Sequence, residues 1–88
     1  MQYRDFTIIN RLGLHARAAA QLVQTANQFI SDVTLLKGDI EVNGKSIMGI
    51  LLLAAPQGTD LAVTVEGADE QQAMDIIAAL IEDGFGEE

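Results

Sequence analysis

The chain has 88 residues, 49% of them hydrophobic, a net charge of −8 and no cysteine. This describes one domain, 1–88, with enough apolar residues for a core but no disulfide, zinc–thiolate site or thiol nucleophile. The acidic balance opposes nucleic-acid binding, no apolar run approaches the roughly 18 residues of a membrane span, and the polar start Met1-Gln2-Tyr3-Arg4-Asp5 is unlike a signal peptide, so a soluble, cytoplasmic protein is expected.

The charge is unevenly placed. Residues 1–59 carry all five bases against four acids, whereas 60–88 carry nine acids and no base. An anion would therefore be handled by the N-terminal half, and the acidic half serves at least as a solvated face.

In chain order, Tyr3 to Ile9 is rich in Phe, Ile and Thr and reads as a strand. Asn10-Arg11-Leu12-Gly13 is a turn. From Ala16 to about Gln28, Ala16, Ala19, Ala20, Val23 and Ala26 repeat at helical spacing, and the alanines suit close packing against a sheet. Val33 to Lys37 and Asp39 to Asn43 are short strands joined at Gly38. Ser46 is a good N-cap for a short helix over Ile47 to Leu53. After the Pro56-Gln57-Gly58 loop, Leu61, Val63 and Val65 alternate as a one-sided strand. Asp69, with Gln72 three residues on, reads as a capping box for a last helix that buries Ala73, Ile77, Leu80 and Ile81 and ends at Gly84. The order β-α-β-β-α-β-α with one-faced strands favours an antiparallel or mixed sheet covered by helices on one side, an α+β domain.

The chemistry concentrates in Gly13-Leu14-His15-Ala16-Arg17. His15, the single histidine, stands where a turn becomes a helix. The first N–H groups of a helix lack intrahelical partners and its dipole is positive there, which makes an anion site. Arg17 falls in the first turn, where its guanidinium can meet a phosphate, and Gly13 lets the backbone bend close. The positive end favours a neutral, nucleophilic imidazole and would stabilise a phosphoryl group once attached. Placement alone also fits a partly exposed polar histidine with no role. One histidine and no cysteine argue against a metal site. Asn43-Gly44-Lys45-Ser46 lacks the first glycine of a P-loop, so no nucleotide is expected. Ser46 is first of all a cap. A phosphate there would place negative charge beside Ile47, Met48 and Leu51.

Gly13-Leu14-His15-Ala16-Arg17 with its alanine-rich helix, and Asn43-Gly44-Lys45-Ser46-Ile47-Met48-Gly49, resemble the two signatures of the HPr phosphocarriers of the bacterial phosphoenolpyruvate-dependent phosphotransferase system (PTS). Gly58 and Gly67-Ala68-Asp69-Glu70 are similar too, so the resemblance covers nearly the whole chain. It implies an open-faced sandwich of a four-stranded antiparallel sheet with three helices on one face. It implies that Enzyme I phosphorylates His15 on Nδ1, that Arg17 assists, and that an Enzyme IIA receives the group, as in sugar transport. It implies docking through Ala16, Ala20, Ile47, Met48 and Leu51, and Ser46 as the site of HPr kinase/phosphorylase where that enzyme exists. A monomer without cofactor or metal is expected. Ala18 stands where many members have proline; alanine is an excellent helix former, so little change in chemistry follows. The Gly84-Phe85-Gly86-Glu87-Glu88 ending and the Leu12-Gly13-Leu14-His15 lead-in look like the nitrogen-related NPr carriers, whereas Ser46-Ile47-Met48-Gly49 looks like carriers regulated by HPr kinase. Two other readings stay open: a binding module in which His15 is incidental, and a small enzyme using His15 as general base, for which the chain supplies no clear partner acid.

Overall fold

Period-two alternation of β-branched and aromatic residues builds four strands in the computed structural model, which describes residues 1–87. These are β1 (Gln2–Thr7), β2 (Asp32–Lys37), β3 (Ile40–Asn43) and β4 (Asp60–Glu66). They form one sheet in the order β1-β4-β2-β3, antiparallel throughout. β4 and β2 each pair on both sides, and β4 is the more buried of the two, because Leu61, Val63 and Val65 all point into the core. Opposite Val63 stand Arg4 and Leu35, and opposite Val65 stand Gln2 and Val33. The other face carries Tyr3, Asp5, Thr34 and Thr64. β2 and β3 meet through a two-residue turn, with Lys37 opposite Ile40 and Gly38 at a φ of +60°.

Three helices cover the inner face: α1 (Ala16–Ala26), α2 (Ile47–Leu53) and α3 (Glu70–Glu82), the last followed by a single 3-10 turn over Gly84–Gly86. The β-α-β-β-α-β-α order and the open-faced sandwich therefore hold. No helix among the described residues is long and apolar enough to cross a membrane.

Two local expectations need correction. The buried face of α1 is Ala18, Ala19, Leu22, Val23 and Ala26, while Ala16 is exposed and Ala20 half-buried. Alanines tolerate either phase of the helix. Leu22 decides, because burying a leucine is worth about 1.5–3 kcal/mol against roughly 0.8 kcal/mol for a methyl. At α3, Asp69 occupies the N-cap but makes no side-chain cap bond, and the box with Gln72 does not form. Its carboxylate instead accepts the N–H groups of Ile30 and Ser31, each at 3.0 Å, and the Ser31 hydroxyl, tying the α1–β2 connection to the start of α3. Glu70 makes the local closure by accepting the Gly67 N–H at 3.2 Å. α3 buries Ala73, Met74, Ile77, Ala78 and Ile81, with Leu80 only half-buried.

Helix ends are handled by specific groups. Ser46 Oγ accepts the Gly49 N–H at 3.1 Å and caps α2. At the other end of α2, Ala54 takes the left-handed conformation at a φ of +47°, and Lys37 Nζ donates to the Leu53 carbonyl at 2.9 Å, a cation where the helix dipole is negative. Gly84, at a φ of +64°, ends α3 as its position suggested.

Candidate functional site

His15 is the N-cap of α1. Its backbone is extended, and the chain turns helical only at Ala16. What holds it there is the turn before it. Gly13 has a φ of +66°, and a Cβ on it would lie 2.4 Å from the Ala55 carbonyl oxygen and 2.8 Å from Pro56 Cα. No side chain fits. The close approach that Gly13 permits is thus to the segment after α2. Leu14 N–H completes that contact by donating to the Ala55 carbonyl at 2.9 Å, and its side chain is buried.

The two ring nitrogens of His15 face different partners. Nδ1 accepts the backbone N–H of Arg17 at 3.3 Å, the N-cap bond of α1. Nε2 meets the Glu87 carboxylate. The His15 side chain is 25% exposed and that of Glu87 16%, so the contact is largely shielded from water while the ring remains reachable. Asn10, buried in the turn, donates from Nδ2 to the Gly13 carbonyl at 2.7 Å and to Glu87 at 3.3 Å. The His15 hydrogen bond, foremost, and that of Asn10 hold the Glu87 carboxyl below the usual carboxylate range.

Arg17 is exposed and lines a shallow cleft with Arg11, Leu12 and Glu87. Arg11 and Arg17 therefore share that cleft with Glu87, the partner of His15 Nε2. An anion entering it would meet two arginines as well as the Glu87 carboxylate.

On α2, Ile50 and Leu53 enter the core, whereas Ile47, Met48 and Leu51 are exposed. Leu12 and Leu52 add to the exposed apolar surface. α1 and α2 pack together, with Ala16 exposed at the start of α1. Ser46 lies at the end of α2 away from Ala55, about 10 Å along the helix. It shares the helix with Met48 and Leu51 and has no hydrogen bond to His15 among the described residues.

Sequence reasoning missed Glu87, Asn10 and Arg11 at this site. The tail Phe85-Gly86-Glu87-Glu88 reads only as short and acidic. In the structure Phe85 is 2% exposed at a φ of +58°, between Gly84 and Gly86, which also have positive φ. Three left-handed residues in a row fold the tail back, the Phe85 ring anchors it in the core, and Glu87 comes to lie against His15. The pair Gly84 and Gly86 around an aromatic residue was the available signal. Glu88 lies outside the described residues. No cluster of His, Cys, Asp and Glu able to hold a metal occurs among them.

The family model described as the PTS HPr component phosphorylation site matches residues 2–83. The phosphocarrier protein HPr of Cupriavidus necator is 51% identical over 87 residues, covering 99% of this chain and 98% of that protein. The phosphocarrier protein NPr of Proteus mirabilis is 42% identical over 88 residues, covering 99% and 98%. The crystal structure of HPr-C-His from Thermoanaerobacter tengcongensis superposes with a TM-score of 0.97 at 45% identity, covering 100% of this chain and 99% of that one.

Proposed function

This chain belongs to the HPr family of phosphotransferase-system phosphocarriers, and from that premise we propose that His15 takes a phosphoryl group on Nδ1 from phospho-Enzyme I and passes it to an Enzyme IIA. The observation that carries the reading is the placement of Nδ1 at the start of α1, where it accepts the Arg17 N–H at 3.3 Å, with Arg17 itself lining a cleft together with Arg11, Leu12 and Glu87. A neutral imidazole can attack there. The helix end and the guanidinium groups then stabilise the added charge. A phosphohistidine N–P bond is reactive enough to pass the group onward, and with no second nucleophile or acid assigned, the chain acts as a carrier with no turnover of its own.

Docking falls to the exposed apolar surface of α2, Ile47, Met48 and Leu51, with Ala16 and Ala20 of α1. Ser46 is a regulatory site read through that surface, open to HPr kinase/phosphorylase where the enzyme exists. The greater identity to the HPr relative than to the NPr relative, 51% against 42%, supports the HPr type over the nitrogen-regulatory one. The carrier works as a cytoplasmic monomer.

The test is intact-mass spectrometry after incubation with Enzyme I and phosphoenolpyruvate. One phosphoryl group, lost in acid, kept in base and absent from His15→Ala, is the expected result. Labelling retained in His15→Ala would overturn the assignment of the site. Labelling by the nitrogen-branch paralogue of Enzyme I alone would move the chain to the NPr type.

A further inference from the structure

We propose that Met48 is a redox-sensitive modification site: an oxidant of the peroxide class converts its thioether to the sulfoxide and thereby weakens docking through α2. This rests on the docking reading given above and adds a reversible control of the same surface.

The placement of the sulfur carries the argument. Ile50 and Leu53 are buried, and Gly49 lies so close to β3 that a Cβ on it would come within 3.3 Å of Val42 Cβ. These three residues fix the inward side of α2. With about 3.6 residues per turn, Ile47, Leu51, Met48 and Leu52 then follow one another round the outward side. Met48 falls between Leu51 and Leu52, away from the core, and is 72% exposed.

The chain offers an oxidant few other targets. It has no cysteine and no tryptophan. Of its three methionines, Met74 is buried in the core at 1% exposure. Met1 is exposed, but its amine pairs with Glu70 at 2.8 Å, which places it at the start of α3. Met48 alone of the three combines an accessible sulfur with the apolar surface of α2. An unbranched, polarisable side chain suits such a surface because it adapts to a partner, and the same thioether is the group that peroxide attacks.

In the step, a sulfur lone pair attacks the outer oxygen of the peroxide. The S–O bond forms as the O–O bond breaks. Sulfur is oxidised and the peroxide is reduced. The proton of the attacked oxygen passes to the departing one, which leaves as water or an alcohol. The product keeps the length of the side chain but ends in a strong acceptor oxygen. Pressed against an apolar partner surface, that oxygen loses its water without gaining a donor, the costly case for a polar group. The helix tolerates the change, because Met48 lies outside the core while the Ser46 cap and the buried Ile50 and Leu53 hold α2 in place. A thiol-dependent methionine sulfoxide reductase restores the thioether.

The test treats the full chain with hydrogen peroxide, removes the oxidant, and then measures acceptance from phospho-Enzyme I. Peptide mass mapping is expected to place an added oxygen on Met48 and on Met1 and none on Met74. The KM of the oxidised chain should rise about tenfold, with the limiting rate unchanged because the chemistry at His15 is untouched. Sulfoxide reductase should restore the parent value. Met48→Leu should lose the response, with the same KM before and after treatment whatever its starting value. Met48→Gln, polar and of similar length, should show a raised KM without any oxidant. A Met48 no more reactive than Met74 overturns the site. An unchanged KM after oxidation of Met48, or a response that persists in Met48→Leu, overturns the switch. Ile47→Asp separates the switch from the docking reading. A raised KM there, with the oxidised parent unchanged, keeps α2 as the docking surface and removes the switch, whereas an unchanged KM in Ile47→Asp removes both. A parent that accepts no phosphoryl group ends the phosphocarrier reading and the switch with it, while the mass map still decides whether Met48 is the oxidised site.

Discussion

Ser46 has a structural duty that can be separated from any regulatory one. Its hydroxyl accepts the Gly49 N–H and closes the start of α2. Ser46→Ala is expected to lower stability by about 1 kcal/mol in urea titration, the usual cost of a lost cap. It should leave phosphoryl acceptance by His15 unchanged. Ser46→Asp keeps a capping oxygen and favours the positive helix end, so the fold should persist. It also sets a charge beside Ile47 and Met48, and acceptance from phospho-Enzyme I should slow through a raised KM. Equal rates in the parent and both variants would remove α2 from the contact surface. The roughly 10 Å of helix that separates Ser46 from the Ala55 end makes this an effect on docking, because at physiological salt a charge is largely screened over that distance.

Among the elements, the turn over residues 10–13 does most to aim the site. Gly13 has both a left-handed φ and no room for a Cβ against Ala55 and Pro56. Gly13→Ala is expected to cost about 3 kcal/mol, combining left-handed strain of roughly 1–2 kcal/mol with overpacking of similar size. Urea unfolding measures the loss. Near-parent stability would mean that the Ala55–Pro56 segment can move away from the turn. The identity of this glycine was legible in sequence as part of the His15 motif. What it approaches was not, because Ala55 and Pro56 lie more than 40 residues away and only the fold brings them to it. α1 shows the same limit on a smaller scale. Its helical period was plain, but a run of alanines does not state which face turns inward, and the single leucine at position 22 settled the matter by its bulk.

For the molecule as a whole, the acidic half is more than a solvated face. Asp69 clasps Ile30 and Ser31, and Glu87 reaches His15 from the far end of the chain. The Ser31 hydroxyl, then the Ile30 and Ser31 N–H groups, hold the Asp69 carboxyl below its ordinary value, as the His15 and Asn10 contacts do for Glu87. A carboxyl whose pKa is lower folded than unfolded stabilises the fold fully above its unfolded value, about 4, and loses that contribution as pH falls through the folded value. The urea midpoint should therefore drop below about pH 4. Asp69→Asn, which cannot carry the charge, should start lower at pH 7 and show a flatter acid limb. An unchanged acid limb would assign acid unfolding to other groups.

By itself the sequence determined the order of the elements, the α+β class, the cap at Ser46 and the place of His15 at a helix start. These depend on short-range periodicity and on residues a few positions apart, where backbone preference and side-chain spacing act directly. The signatures around His15 and Ser46 also carried the family, which the comparisons bear out. The tertiary structure decided what each of these groups touches. It turned Asp69 from a local cap into a clasp on a distant loop, brought Arg11 to the cleft, and folded Phe85 into the core so that Glu87 meets a histidine 72 residues earlier in the chain. Such contacts follow from how buried side chains pack across the sheet and helices, and no window of neighbouring residues contains that information.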